Sequence, residues 1–175
     1  MALTVQDDTG TIDNANAYID VAYMTSYFAD KNIDISDFDT EAIEAAIIVG
    51  TSYMDNKFLT EYVGFRSTLL QGTEWPRYSA YDQNGFDISN ILPVALKKAG
   101  AEYSYVELTE EGGLNPAVDR NTSGQRIKRK LEDIDGIKEE VEYTDAGIID
   151  TTKEYPTADS FIRSILNIRS NRVYR

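Results

Sequence analysis

Leu70-Gln71-Gly72-Thr73-Glu74-Trp75-Pro76-Arg77 is the stretch on which the reading of this chain turns. It holds the only tryptophan and lies between two segments of helical period. A proline ring crowds the backbone of the residue before it and pushes that residue out of the helical region, so Trp75 is expected to be extended. An extended, amphipathic ring followed by a fixed backbone angle works as a clip between helices. Trp75, Pro76 and Arg77 are therefore assigned as a structural brace.

On the N-terminal side of the clip, the first dozen residues are polar and aperiodic, which predicts an arm. Asn16-Ala17-Tyr18-Ile19 reads as extended, and Asp20 then caps a short helix over 21–31 with Val21, Met24, Tyr27 and Phe28 on one face. Residues 32–38 read as a loop. Asp39 or Thr40 caps the strongest helix, 40–59, in which Ile43, Ala46, Ile47, Gly50, Tyr53, Met54 and Phe58 recur at spacings of three and four. Ala45, Ala46 and Gly50 are small enough to admit a close helix neighbour.

On the C-terminal side, Asp82-Gln83-Asn84-Gly85 predicts a tight turn. Asn90 is the expected cap of a third helix over 91–111, with Pro93 tolerated in its first turn. Val94, Leu96, Ala99, Ala101, Tyr103, Val106 and Leu108 give that helix two apolar stripes. A helix wet on one narrow side is central in a bundle or lies at a subunit contact. Gly112-Gly113 ends it.

Residues 114–125 read as a linker. Ile127–Ile134 and Ile137–Tyr143 flank Asp135-Gly136 and predict a β-hairpin with a basic first arm and an acidic second. Arg126, Lys128, Lys130, Glu140 and Glu142 are its candidate contact residues. A last short helix starts at Thr157 or Asp159. The fold class expected is mainly α: a small bundle of three to four helices with a β-hairpin and extended N- and C-terminal arms. The expected divisions are 1–113 for the bundle, 114–156 for linker and hairpin, and 157–175 for the C-terminal helix and basic tail.

Cysteine and histidine are both absent. A structural zinc site, a disulfide framework, a cysteine nucleophile and a Ser-His-Asp triad are thereby excluded. No apolar run of about 18 residues is present to span a membrane, and the opening residues carry no secretion signal, so an intracellular protein is expected. Paired carboxylates such as Glu41 and Glu44, or Glu107 and Glu110, read as solvated surface. Asp133-Ile134-Asp135-Gly136 lacks the spacing of a calcium loop, and no Gly-rich phosphate motif occurs. No catalytic, cofactor-binding or metal residue is assigned, and a non-enzymatic protein without cofactors is expected.

The formal charge of −13 is unevenly placed. Residues 1–119 hold six Lys/Arg against twenty Asp/Glu, a net −14, whereas residues 120–175 hold eleven against ten. Affinity for nucleic acid comes largely from neutralising phosphates, so an acidic body argues against tight DNA binding. Residues 160–175 carry Arg163, Arg169, Arg172 and Arg175 with no acid. With Phe161 and Tyr174, they form a candidate docking segment for an acidic groove on a partner.

Ala17-Tyr18-Ile19-Asp20, Tyr27-Phe28, Gly64, Arg66, Gln71, Trp75-Pro76-Arg77, Asp82, Gly85 and Ile91-Leu92-Pro93-Val94 together resemble the head–tail adaptor (connector) proteins of tailed bacteriophages. Some of those relatives carry the label of DnaT-like single-stranded-DNA-binding proteins. The resemblance spans about residues 16–143, with Thr73 standing where the family pattern has an apolar residue. It implies a non-catalytic virion protein of the head–tail neck, made in the host cytoplasm. It further implies a homo-oligomeric ring, expected as a dodecamer, docked on the portal protein and followed by a tail or stopper protein. Genomic DNA would pass through such a ring without specific binding, and no membrane would be involved. On this reading Phe161, Arg163, Arg169, Arg172, Tyr174 and Arg175 bind the portal. The alternative is a single-stranded-DNA-binding module, which calls for a cationic stripe interleaved with rings.

Overall fold

A computed structural model describes residues 2–114 and 154–167, and the backbone of two strands within 127–143. The elements in chain order are α1 (Val21–Asp30), α2 (Thr40–Phe58), β1 (Phe65–Arg66), β2 (Arg77–Tyr78), α3 (Val94–Thr109), β3 (Ile127–Asp133), β4 (Lys138–Tyr143) and α4 (Pro156–Ile162). A single 3-10 turn, Arg163–Ile165, continues α4. The mainly helical class with a small antiparallel hairpin is the one expected.

The chain forms two compact units, one of residues 1–114 with 154–175 and one of residues 115–153. In the first, α3 is the central helix. It packs on α2, on α4 and on α1, and so buries residues on both of its apolar stripes, Leu96, Ala99 and Tyr103 among them. α4 thus belongs with the bundle: Ala158 and Ile162 are buried, and Leu166 pairs with Tyr62 just beyond the 3-10 turn.

The helices begin where local chemistry starts them. The Asp20 carboxylate accepts the Tyr23 N–H at 2.7 Å and opens α1. α2 has Glu41 in its first turn and Lys57 in its last, both favourable to the helix dipole. Its buried stripe of Ile43, Ala46, Ile47, Gly50, Thr51, Met54 and Phe58 faces the core. Gly50 lets α3 approach closely, since a Cβ there would stand 2.8 Å from Ser104 Oγ and 2.9 Å from its amide nitrogen.

Two local expectations are corrected. The third helix starts at Val94 with Pro93 as its cap residue. Asn90 does not cap it: its φ is +54°, its N–H donates to the Arg77 carbonyl at 2.8 Å, and its Oδ1 accepts from Ser67 Oγ at 3.2 Å. The N-terminal residues are likewise built into the body. Val5 pairs with Ala17 in a parallel bridge, the Asn16 N–H donates to the Thr4 carbonyl at 2.8 Å, and Gln6 is buried. A polar, aperiodic segment reads as an arm because its hydrogen bonds lead to distant residues, which a local pattern does not show.

The Trp-Pro segment runs through the centre of this arrangement. Trp75 is fully buried, the Trp75–Pro76 peptide is cis, and the Trp75 ring meets Tyr62 edge-on at 6.0 Å. The buried Gln71 amide donates to the carbonyls of Thr73 (2.9 Å) and Pro76 (3.0 Å). Arg77 reaches back to the carbonyls of Val63 (2.8 Å) and Gly64 (2.9 Å) and to the Glu74 carboxylate (3.0 Å). The neighbouring strands form a two-residue antiparallel ladder, Phe65 opposite Tyr78 and Arg66 opposite Arg77.

In the second unit, β3 and β4 pair antiparallel, with Arg129 opposite Glu142, Lys130 opposite Val141, Leu131 opposite Glu140 and Asp133 opposite Lys138. The register breaks between Ile127 and Arg129, where Lys128 lies.

Candidate functional site

The sequence places exposed rings where short ladders and a turn lock the backbone. Successive residues in a strand point to opposite faces. With Arg77 turned inward, Tyr78 faces out, and its ladder partner Phe65 does the same. The two rings lie 5.5 Å apart at 33°, and they are 48% and 63% exposed. Further along, Tyr81 and Phe86 flank the predicted turn and are also exposed. The Asp82 carboxylate holds that turn by accepting the N–H groups of Asn84 (2.9 Å) and Phe86 (2.8 Å). Gly85 supplies the positive φ of 84°, and Tyr81 pairs with Asp87 across the base. Leu69 and Leu70, between the ladder strands, are exposed as well. Of these exposed side chains, Phe65 and Tyr78 are in ring-to-ring contact.

A second feature is a polar cleft of about 340 Å³ between α2 and the Trp-Pro segment, floored by Asp55. Asp55 accepts from the hydroxyls of Tyr18 (2.7 Å) and Tyr62 (3.3 Å) and from the Glu74 N–H (3.1 Å). Burial pushes its carboxyl up from 3.8 to about 7, against the lowering effect of these bonds. Burial likewise holds the Tyr18 and Tyr62 hydroxyls well above their ordinary range. A carboxyl whose pKa is raised on folding binds more protons folded than unfolded between about pH 4 and pH 7. Its stabilising contribution is complete below the unfolded pKa and is lost as pH rises through the folded one. Urea midpoints should therefore fall from pH 5 to pH 8, by roughly 1–3 kcal/mol in stability, less than the full shift because the group borders an open cleft. The midpoint of Asp55→Asn should vary much less over that range. An equal slope in both proteins would assign the pH dependence elsewhere.

Of the residues singled out from sequence, Phe161 is half-buried on α4, with Lys98 Nζ 5.8 Å from its ring centre, and Arg163 is exposed. Arg126, Arg169, Arg172, Tyr174 and Arg175 lie outside the described residues. Lys128, Lys130, Glu140 and Glu142 lie on the two hairpin strands. Phe65, Tyr78, Tyr81, Phe86 and Asp55 were not singled out. The signal available for four of them was a ring on each side of an Asn-Gly turn and of the Trp-Pro clip. Among the described residues no group of three or more Asp, Glu, His or Cys is placed to hold a metal ion, and no helix is long and apolar enough to cross a membrane.

Fold and surface together define a small, mainly helical module that presents aromatic rings to solvent. Residues 1–175 match the model of the family described as "Putative DnaT-like ssDNA binding protein", and the chain belongs to that family. No curated protein and no solved structure matches it. The head–tail adaptor role expected from the resemblance is corrected by this match, which names single-stranded-DNA binding, the alternative weighed beside it. Net charge bears on phosphate contacts, whereas stacking on a base's π-face asks only for an accessible ring.

Proposed function

We propose that this chain is a non-catalytic module that binds single-stranded DNA by stacking bases on exposed rings, with Phe65 and Tyr78 as the central pair. The family match supports the ligand, and the observation that carries the mode is the pair of outward rings 5.5 Å apart on one ladder. Stacking is the sequence-tolerant part of single-strand recognition and contributes about 1–3 kcal/mol per base. Arg66, beside Phe65, is the nearest cation in sequence. It is held by the Glu74 carboxylate at 3.7 Å and by the Gln71 carbonyl, so it serves as a positioned donor more than as a free charge.

The test is a fluorescence-anisotropy titration of a labelled single strand. Phe65→Ala and Tyr78→Ala should each weaken binding roughly tenfold, the middle of the stacking range, with the urea midpoint little changed because both rings are exposed. Wild-type affinity in both variants would remove the ring pair from the interface.

A further inference from the structure

The aromatic surface continues beyond Phe65 and Tyr78. Tyr81 and Phe86, at the base of the Asp82–Gly85 turn, are 55% and 70% exposed. Residues three apart in a regular strand point to opposite faces. Ser79, at φ +50°, interrupts that alternation, so Ala80 turns inward while Tyr78 and Tyr81 both meet solvent. An extended chain advances about 3.3 Å per residue, which keeps the Tyr81 backbone within about 10 Å of that of Tyr78. A strand lying on the first ring pair is therefore within reach of the turn.

The turn is also fastened beside positive charge. The Gln83 N–H donates to the Ser164 carbonyl at 3.1 Å, and its side-chain amide donates to the Arg163 carbonyl. Arg163 is exposed. Two residues earlier, the Phe161 ring has Lys98 Nζ 5.8 Å from its centre. Lys31, Lys57, Arg66 and Arg77 are all bonded to the carboxylates of Glu102, Asp159 and Glu74. The other cations among the described residues, Lys97, Lys98 and Arg163, form no ion pair there. The acids of the turn face its own backbone: Asp82 accepts from Asn84 and Phe86, and Asp87 accepts the Ser89 N–H at 2.9 Å.

Cations beside accessible rings have the make-up of a single-strand groove, in which charges track phosphates and rings take bases. We propose that single-stranded DNA continues from Phe65 and Tyr78 onto the turn, with bases on Tyr81 and Phe86 and one phosphate between Lys98 and Arg163. This inference rests on the single-strand reading above. In an otherwise acidic body, the phosphate contact is confined to the place where positive charge is uncommitted.

The experiment is an anisotropy titration of a labelled single strand with the full chain at two salt concentrations. One neutralised phosphate gives a log–log salt slope of about −0.7, so affinity should fall roughly 2.5-fold between about 50 and 200 mM salt. Lys98→Gln combined with Arg163→Gln should bring that slope close to zero, whereas Lys97→Gln should keep it. Phe86→Ala should weaken binding roughly tenfold with the slope retained, because a ring carries no charge. These side chains are exposed or half-buried, so urea midpoints should stay near that of the wild type. An unchanged slope in the double variant, an equal change in Lys97→Gln, or wild-type affinity in Phe86→Ala would overturn the proposal. The two readings fail separately. Binding weakened in Phe65→Ala but indifferent to Phe86, Lys98 and Arg163 defeats the extended path alone. Binding weakened by changes at the turn but not at Phe65 or Tyr78 defeats the first ring pair and leaves this face standing.

Discussion

Replacing Trp75 by alanine should lower the stability of the bundle by about 3–5 kcal/mol, the range for removing a large buried ring. Trp75 has no exposed surface and belongs to one core cluster with Tyr18, Tyr62, Met54 and Phe58. The segment around it also holds the N-terminal residues in place, because Thr73 Oγ lies 3.4 Å from Gln6 Nε2. A cavity at position 75 therefore loosens two segments at once. Trp75→Phe should be much milder. Among the described residues the indole N–H has no hydrogen-bond partner, so the phenyl ring gives up volume but no bond. Urea denaturation of the two variants measures the difference. A Phe variant as unstable as the Ala variant would mean that the indole N–H, not ring volume, matters.

The second large effect is expected at Asp159. Its carboxylate accepts from Lys57 Nζ at 2.7 Å, from the Tyr103 hydroxyl and from the Tyr155 N–H at 3.3 Å. Lys57 Nζ lies 5.3–5.8 Å from the ring centres of Phe58, Tyr53, Tyr103 and Tyr155. This cation in a box of rings joins α2, α3 and α4. Both charged side chains are about one-seventh exposed, 14% and 15%, so Asp159→Ala leaves a largely desolvated ammonium and an orphaned hydroxyl. Breaking such a pair from one side costs about 3–5 kcal/mol, whereas replacing both partners by apolar groups is often close to neutral. Lys57→Met combined with Asp159→Leu should accordingly be more stable than Asp159→Ala alone. A double variant less stable than the single one would mean that the charges themselves hold the helices.

Much of this architecture is legible in the chain. The spacing of Ile43, Ile47, Gly50 and Met54 gives α2 and its buried face, Asp20 gives the start of α1, and Asp82 to Gly85 gives the turn. The double stripe of α3 allows two readings, a central helix or a subunit contact, and its packing on α1, α2 and α4 gives the first. What is not legible depends on distant partners. Gln6 looks like an arm residue until its bonds to Ile12 and Ala17 are seen. Asn90 looks like a cap, yet its backbone bonds to Arg77 instead. Asp55 is one carboxylate among thirty acidic residues, and only the convergence of Tyr18, Tyr62 and Glu74 sets it apart. The exposed rings are hidden for a different reason. Sequence shows that Phe65 and Tyr78 are aromatic, but a two-residue ladder is too short for alternation to say which way they face.

The most direct measurement compares a single-stranded oligonucleotide with an abasic strand of the same length, at the same salt, against the wild-type protein. If bases stacked on Phe65 and Tyr78 hold the strand, the abasic polymer should bind at least roughly tenfold more weakly, and affinity for the intact strand should change little with salt because few phosphates are neutralised. Equal affinity for the two polymers, with a steep salt dependence, would contradict the account and return recognition to the phosphate backbone.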